Sequence, residues 1–379
     1  MSLSLPSCLF VRLFRRPTLT TSRKCSTQSV LTREVGKNAV VTLNRPKVLN
    51  SMNVDLQRNV YKTLMDLQNK KSLIVLKGAG DRAFSSGGDL VLLKKAALTK
   101  DWVYVNDMGF YLNANLHLLR NYKIPIITFM NGITMGAGAG YSVSCRFRVA
   151  TDKTKFAMPE VKVGFLPNAS ASYFFNRTIG QLGFYLALTG STITGTDVLR
   201  AGFATHYCNQ SDLPTLEEEL LQCSCDKNIN AVLDKFCQKD IPELTLQPVM
   251  DKINKCFSEP TVESIFAKLK DDGSPWARDT LNIMEKYSPS SLKVILKQLQ
   301  KGKSMSWLEC LHMEYNLTVN FYKFKDTYEG TRIVLQDKND TPKWDPPNLI
   351  DVTEELIEKH FEPNSQEVFN KFLNEIKSS

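Results

Sequence analysis

Pro125-Ile-Ile-Thr-Phe-Met-Asn-Gly-Ile-Thr-Met-Gly-Ala-Gly-Ala-Gly-Tyr-Ser-Val-Ser-Cys-Arg-Phe-Arg-Val-Ala-Thr151 is the stretch that decides the fold. Pro125–Met130 is an apolar run of strand length, and Asn131-Gly132 is a turn dipeptide. Gly136–Ser144 then reads as a helix of small residues, and Phe147–Thr151 returns as a strand.

The same alternation extends upstream. Ala39–Leu43 is predicted as the first folded element, a β-branched strand closed by Asn44-Arg45-Pro46. Helical spacing follows over residues 51–69 (Met52, Leu56, Val60, Leu64, Leu67), then a strand at Ser72–Lys77 ended by Gly78-Ala-Gly80. The turn Phe84-Ser-Ser-Gly-Gly-Asp89 leads into a helix over Leu90–Ala97, and a long helix is expected at Val103–Asn121. Strands alternating with helices over the first two hundred residues predict an α/β core whose sheet is covered on both faces. Beyond about residue 210 the pattern becomes amphipathic helices, at 215–224, 247–257, 261–270, 289–300 and 304–323. Pro342-Lys-Trp-Asp-Pro346 ends that run, with two more helices expected near 352–360 and 364–377. The expected organisation is a leader over 1–33, a core over 34–210 and a helical C-terminal region over 211–379.

Composition narrows the chemistry. At 379 residues, with 42% hydrophobic and 23% charged, the chain has the make-up of a soluble globular protein, and no apolar run approaches a membrane span. The net charge of +9 sits mainly in the leader. Arg12, Arg15, Arg16, Arg23, Lys24 and Arg33 precede the first acid, Glu34, leaving about +3 for the rest, so the body carries no strong nucleic-acid signature. An acid-free N-terminus rich in Arg, Ser and Thr has the composition of a mitochondrial transit peptide; a disordered basic arm is the competing explanation. Nine scattered cysteines suit reduced, mostly buried thiols rather than a disulfide framework. The sequence lacks H-x-x-x-H, G-x-S-x-G and a P-loop, which argues against zinc hydrolase, serine hydrolase and NTPase chemistry.

Two glycine-bearing turns and one acid remain as candidates. In Phe84–Asp89 and Gly132–Gly140 small residues let a backbone approach a ligand, and two converging N–H groups at a helix N-terminus would form an oxyanion hole. Tight packing of helix on sheet explains the second run equally well. Glu160, in Phe156-Ala-Met-Pro-Glu160, follows an apolar stretch that would desolvate it and make it a base or nucleophile. A solvated loop acid is the plainer explanation of that residue taken alone.

Taken together, Leu43-Asn-Arg-Pro46 with Leu49-Asn50, Ala83–Asp89, Asn131–Gly140 and Phe156–Glu160 resemble, in order and spacing, the enoyl-CoA hydratase/isomerase (crotonase) superfamily. That resemblance implies a spiral of ββα units with a helical C-terminal region. It also implies a thioester carbonyl held by the N–H groups of Ser85 and Ala137. Phe147–Thr151, Phe184–Gly190, Arg200–His206, Met250–Asn254, Ser288–Lys293, Met313–Tyr315 and Pro342–Trp344 look most like the superfamily's 3-hydroxyisobutyryl-CoA hydrolases. The implied activity is hydrolysis of that short acyl-CoA in valine breakdown in the mitochondrial matrix, without a metal or separate cofactor, coenzyme A being part of the substrate. Glu160 would attack the thioester or activate water. Gly140 stands where a hydratase carries its first catalytic Glu, which counts against hydration.

Three departures fall at one expected pocket. Asn168 and Leu112 stand where the hydrolases carry acids that act in catalysis and binding, and Ser170 and Ala171 replace two glycines. They leave two alternatives open: a thioesterase of altered acyl specificity, and an impaired relative serving as a scaffold, for example in the mitochondrial ribosome. A homo-oligomer is also left open.

Overall fold

The computed structural model describes residues 28–363, apart from 224, 225 and 338. Most of the expected leader and the helix expected at 364–377 fall outside the described residues.

Two sheets organise the first half. The larger has the strand order β1 (Val30–Val35), β2 (Asn38–Leu43), β3 (Leu73–Gly78), β5 (Ile126–Met130), β7 (Phe147–Thr151) and β10 (His206–Cys208). Only β1 runs antiparallel to its neighbour. The smaller is ordered β4 (Ala83–Ser85), β6 (Ile133–Met135), β8 (Lys155–Ala157) and β9 (Ile193–Thr194). Each turn of the chain lays one strand in each sheet: β3 then β4, β5 then β6, β7 then β8. This is the ββα spiral. Parallel neighbours require a crossover, which the intervening helices supply. These are α1 (Val54–Leu67), α2 (Leu90–Leu98), α3 (Trp102–Arg120) and α4 (Ala137–Ser144). Strands buried on both faces read as unbroken apolar runs, and all five residues of β5 are buried.

The expected start of the body is corrected. Val30–Arg33, assigned to the leader, belong to β1, whose Val30 pairs with Leu43 and Arg33 with Val40. Its exposed residues are Leu31, Thr32, Arg33 and Glu34, mostly polar as suits an edge strand, and Arg33 reaches Glu217 and Glu218. That polar face concealed it.

Short elements lead out of the core: α5 (Ala171–Phe174), α6 (Leu182–Thr189) and α7 (Thr196–Arg200). Helices then dominate, beginning with α8 (Leu213–Leu220), α9 (Asp226–Phe236), α10 (Met250–Phe257), α11 (Val262–Asp272) and α12 (Pro275–Met284). They continue through α13 (Pro289–Gly302), α14 (Trp307–Phe321), α15 (Asp326–Leu335) and α16 (Glu354–Phe361). The sequence reading missed α9, α12 and α15. Of these, among the described residues, only α12 carries a side-chain cap, Ser274 with Pro275 at the first position, whereas the expected α14 opens on a capping box of Ser306 and Glu309. One hydrophobic cluster joins both halves, uniting Phe156, Phe165 and Leu166 of the core with Leu317, Phe321 and Tyr322. Residue 210 is therefore a change of secondary structure, not a seam in packing. Among the described residues no helix is long and apolar enough to cross a membrane.

Candidate active site

Three consecutive strands of the smaller sheet deliver the candidate residues. Ser85 ends β4, Ala137 follows β6 across Gly136, and Glu160 follows β8 across Met158 and Pro159. The strands are parallel neighbours, so their C-terminal ends lie side by side and the residues after them meet.

The meeting is close. A Cβ at Gly136, where φ is +53°, would stand 2.9 Å from Glu160 Oε1, and one at Gly87 would stand 3.3 Å from the Ala137 nitrogen. Only glycine fits there. Ala137 is the first residue of α4, so its N–H has no partner within the helix and adds to the positive N-terminal end. Ser85 is fully buried against the start of α4: its Oγ donates to Asn50 O at 2.9 Å, and its backbone oxygen would be 2.7 Å from a Cβ on Gly138. The first turn is stapled to the Leu43–Asn50 motif. Asn50 Nδ2 donates to Ala79 O at 3.0 Å and Ala83 O at 2.9 Å, while Arg45 pairs with Asp89 at 3.0 Å.

These parts enclose a mainly apolar cavity of about 70 Å³ whose walls include Ala137, Glu160, Asn168 and Leu112, with Gln57, Thr318 and Tyr322. Four of the five expected residues thus line one space, and Ser85 supports its wall. Glu160 is half-buried, but its Oε2 is shut off from solvent and has no hydrogen-bond partner. Burial, with a smaller contribution from the nearby charge of Glu314, pushes the Glu160 carboxyl up to about 8. Gln57 Oε1 is a second buried acceptor without a partner in the same wall. Such open acceptors suit a ligand's donor.

Glu314 escaped the sequence reading as a site residue, although Met313–Tyr315 was noted for its resemblance. It projects from α14 and is 2% exposed. Its carboxylate accepts the Ser170 N–H at 2.6 Å and the Ser172 N–H at 2.7 Å, capping α5. Burial pushes it up to about 7, against those hydrogen bonds. One acid among Cys310, Leu311, Met313 and Leu317 on a core-facing helix was the available signal.

The turn it holds is the one in which glycines were expected. Ser170 has φ +69°, as that expectation required, but the second left-handed residue is Ala169 at +57°, while Ala171 already begins the helix. The turn is formed despite the substitutions, and Asn168 Nδ2 reaches Thr318 Oγ1 at 3.3 Å. Gly140 faces the same turn: a Cβ there would lie 2.5 Å from Ala169 Cβ and 2.6 Å from Ala169 O. No carboxylate fits at that position.

Residues 38–361 match the family model described as enoyl-CoA hydratase/isomerase. The chain is 40% identical over 351 residues to "3-hydroxyisobutyryl-CoA hydrolase, mitochondrial" of Rattus norvegicus, covering 90% of each chain. It is 40% identical over 345 residues to the Homo sapiens protein of that name, covering 88% of each. Among solved structures it resembles a carnitinyl-CoA dehydratase from Mycobacterium thermoresistibile, with a TM-score of 0.84 and 30% identity over 89% of this chain and 98% of that one. An enoyl-CoA hydratase from Rhodobacter sphaeroides gives 0.80 and 27%, over 88% and 97%.

Proposed function

The chain belongs to the enoyl-CoA hydratase/isomerase family, and from that premise we propose that it hydrolyses a short acyl-CoA thioester, 3-hydroxyisobutyryl-CoA, to the free acid and coenzyme A. The observation that carries this reading is the Glu160 carboxylate, its Oε2 shut off from solvent, beside the N-terminus of α4, with no room at Gly140 for the partner acid that hydration employs. Relatives at about 40% identity bear the name of that hydrolase.

In this reading the thioester carbonyl lies against the Ala137 N–H, with the Ser85 N–H as second donor. Glu160 attacks the carbonyl carbon or takes a proton from an attacking water. The tetrahedral oxyanion is stabilised by the backbone donors, and its collapse expels the thiolate of coenzyme A; on the general-base route this leaves the free acid, and on the nucleophilic route it leaves an acyl–Glu160 anhydride that water hydrolyses to the acid and the restored carboxylate. Gln57 Oε1 and Asn168 offer polar contacts for the acyl hydroxyl, while Leu112 shapes the apolar side. Coenzyme A enters as part of the substrate, and no further cofactor is required. The mitochondrial names of the relatives and the basic leader support action in the mitochondrion, and we extend the proposal to its matrix as the compartment of the proposed substrate.

Turnover of 3-hydroxyisobutyryl-CoA beside isobutyryl-CoA, with Glu160→Gln as control, is the test. Loss of the carboxylate is expected to cost about 10²–10⁴ in kcat/KM. Equal rates in the two proteins would refute the reading. Sedimentation of the native protein with and without ribosomal subunits addresses the scaffold alternative and the subunit number together. Co-sedimentation without turnover would favour the scaffold.

A further inference from the structure

Three arginines converge on a second cavity, of about 230 Å³, whose wall includes Ser170, the residue whose N–H is held by Glu314. Each guanidinium is fixed by neutral partners. Arg148 on β7 donates from Nε to Phe203 O at 2.8 Å, from Nη1 to Cys145 O at 3.0 Å and from Nη2 to Gly202 O at 3.4 Å. Arg120, the last residue of α3, donates to Tyr173 Oη at 3.2 Å and lies 4.8 Å over the Tyr173 ring and 5.3 Å over Trp307. Arg177 donates to Tyr173 O at 2.7 Å and lies 3.2 Å from the centre of that ring.

Among the described residues no carboxylate lines this cavity or pairs with the three arginines. Other cavities of the molecule differ in this respect. Lys77 is paired with Glu217 at 2.5 Å, and Lys293 with Glu263 at 2.6 Å, where those lysines line a wall. Burial lowers the affinity of Arg148 for its proton, and the charge of Arg120 lowers it further, so the two are near enough to repel. A guanidinium has five N–H donors; Arg120 and Arg177 each spend one on Tyr173. Stacking on the rings holds both planes in place, so little entropy is lost when their remaining donors are used. Concentrated, immobilised and unneutralised positive charge in a concave site is the chemistry that recognises a tetrahedral oxyanion.

We propose that this cavity binds a phosphate dianion, free or as the terminal group of a small phosphomonoester. The volume admits phosphate with room for a short substituent.

Calorimetric titration of the full chain at pH 7.5 with inorganic phosphate, and separately with ribose 5-phosphate, tests it. The proteins compared are wild type, the double variant Arg120→Gln/Arg177→Gln, and Arg58→Gln. Arg120 and Arg177 are exposed and outside the acyl cavity, and Arg58 is paired with Asp107 away from both. Wild type and Arg58→Gln are expected to bind at least one ligand with Kd below about 1 mM, and the double variant at least about tenfold more weakly. The tighter of the two ligands identifies the source of the phosphate. Equal binding by the double variant, or no heat beyond that of chloride at matched ionic strength, overturns the proposal.

Discussion

A carboxyl group with little access to water holds its proton more tightly, and burial around Glu160 raises its affinity to about 8 from an ordinary value near 4.5. Between those two pH values the folded chain carries a proton that the unfolded chain has lost. Stability from this group is therefore greatest below about pH 4.5 and declines as pH rises through the window. Glu160→Gln escapes the decline. Its melting temperature is expected to gain on wild type by about 1–2 °C per pH unit between pH 5 and 8, measured by calorimetry. On the proposed mechanism activity has the opposite sign, because the ionised form would be the reactive one. The kcat/KM of wild type is expected to climb with pH toward a limb near 8. A flat profile from pH 6 to 9 would count against Glu160 as base or nucleophile. Asn168 matters to the same equilibrium. It lines the cavity without charge, so Asn168→Asp adds a negative charge to a space already facing Glu160, with Glu314 close behind. The limb is then expected to move to higher pH, and a shift in the other direction would mean that the new acid does not face Glu160.

Between β8 and α6 the chain makes two turns that carry the site, and each is clamped from outside the sheet. The first, at Glu160–Val163, packs under α15 so closely that a Cβ at Gly330 would lie 2.2 Å from the Val163 carbonyl carbon. The second holds Ala169 and Ser170 in the left-handed region, which costs a residue with a side chain about 1–2 kcal/mol. Two short bonds to the Glu314 carboxylate offset that strain. Ser170→Gly is therefore expected to stabilise the protein by about 1 kcal/mol in a denaturant titration, since the Ser170 bond to Glu314 uses only the backbone. Destabilisation would show that the Ser170 hydroxyl contributes more than its backbone strain costs. These turns also mark how far the sequence could be read. The glycine motifs and Glu160 were legible because chemistry constrains their residue types. Strands β4, β6 and β8, which bring those motifs together, are three residues each, too short for a period to emerge. Glu314 was illegible as a site residue because its partners, Ser170 and Ser172, lie more than 140 residues away.

At the scale of the whole molecule, the helical C-terminal region is part of the site rather than an appendage to it. Thr318 and Tyr322 form a wall of the acyl cavity, Glu314 anchors the Asn168 turn, and Gly330 backs the Glu160 turn. The same side of the core is apolar beneath them: Phe165 meets Phe321 with ring centres 5.4 Å apart and Tyr322 at 5.5 Å. A chain ended at residue 210 would expose these rings, leave Ala169 and Ser170 strained without their anchor, and open the cavity to water. Each buried aromatic or aliphatic side chain uncovered forfeits about 1.5–3 kcal/mol, and several such losses exceed the 5–15 kcal/mol by which domains are stable. Residues 28–210 alone are therefore expected to bind a hydrophobic dye and to melt without a sharp transition. Residues 28–363 are expected to melt in one step when followed by calorimetry and by tryptophan fluorescence together. A soluble 28–210 fragment with a sharp transition would instead make the helical region a separable lid, and the Glu314 anchor an addition to a turn that can form without it.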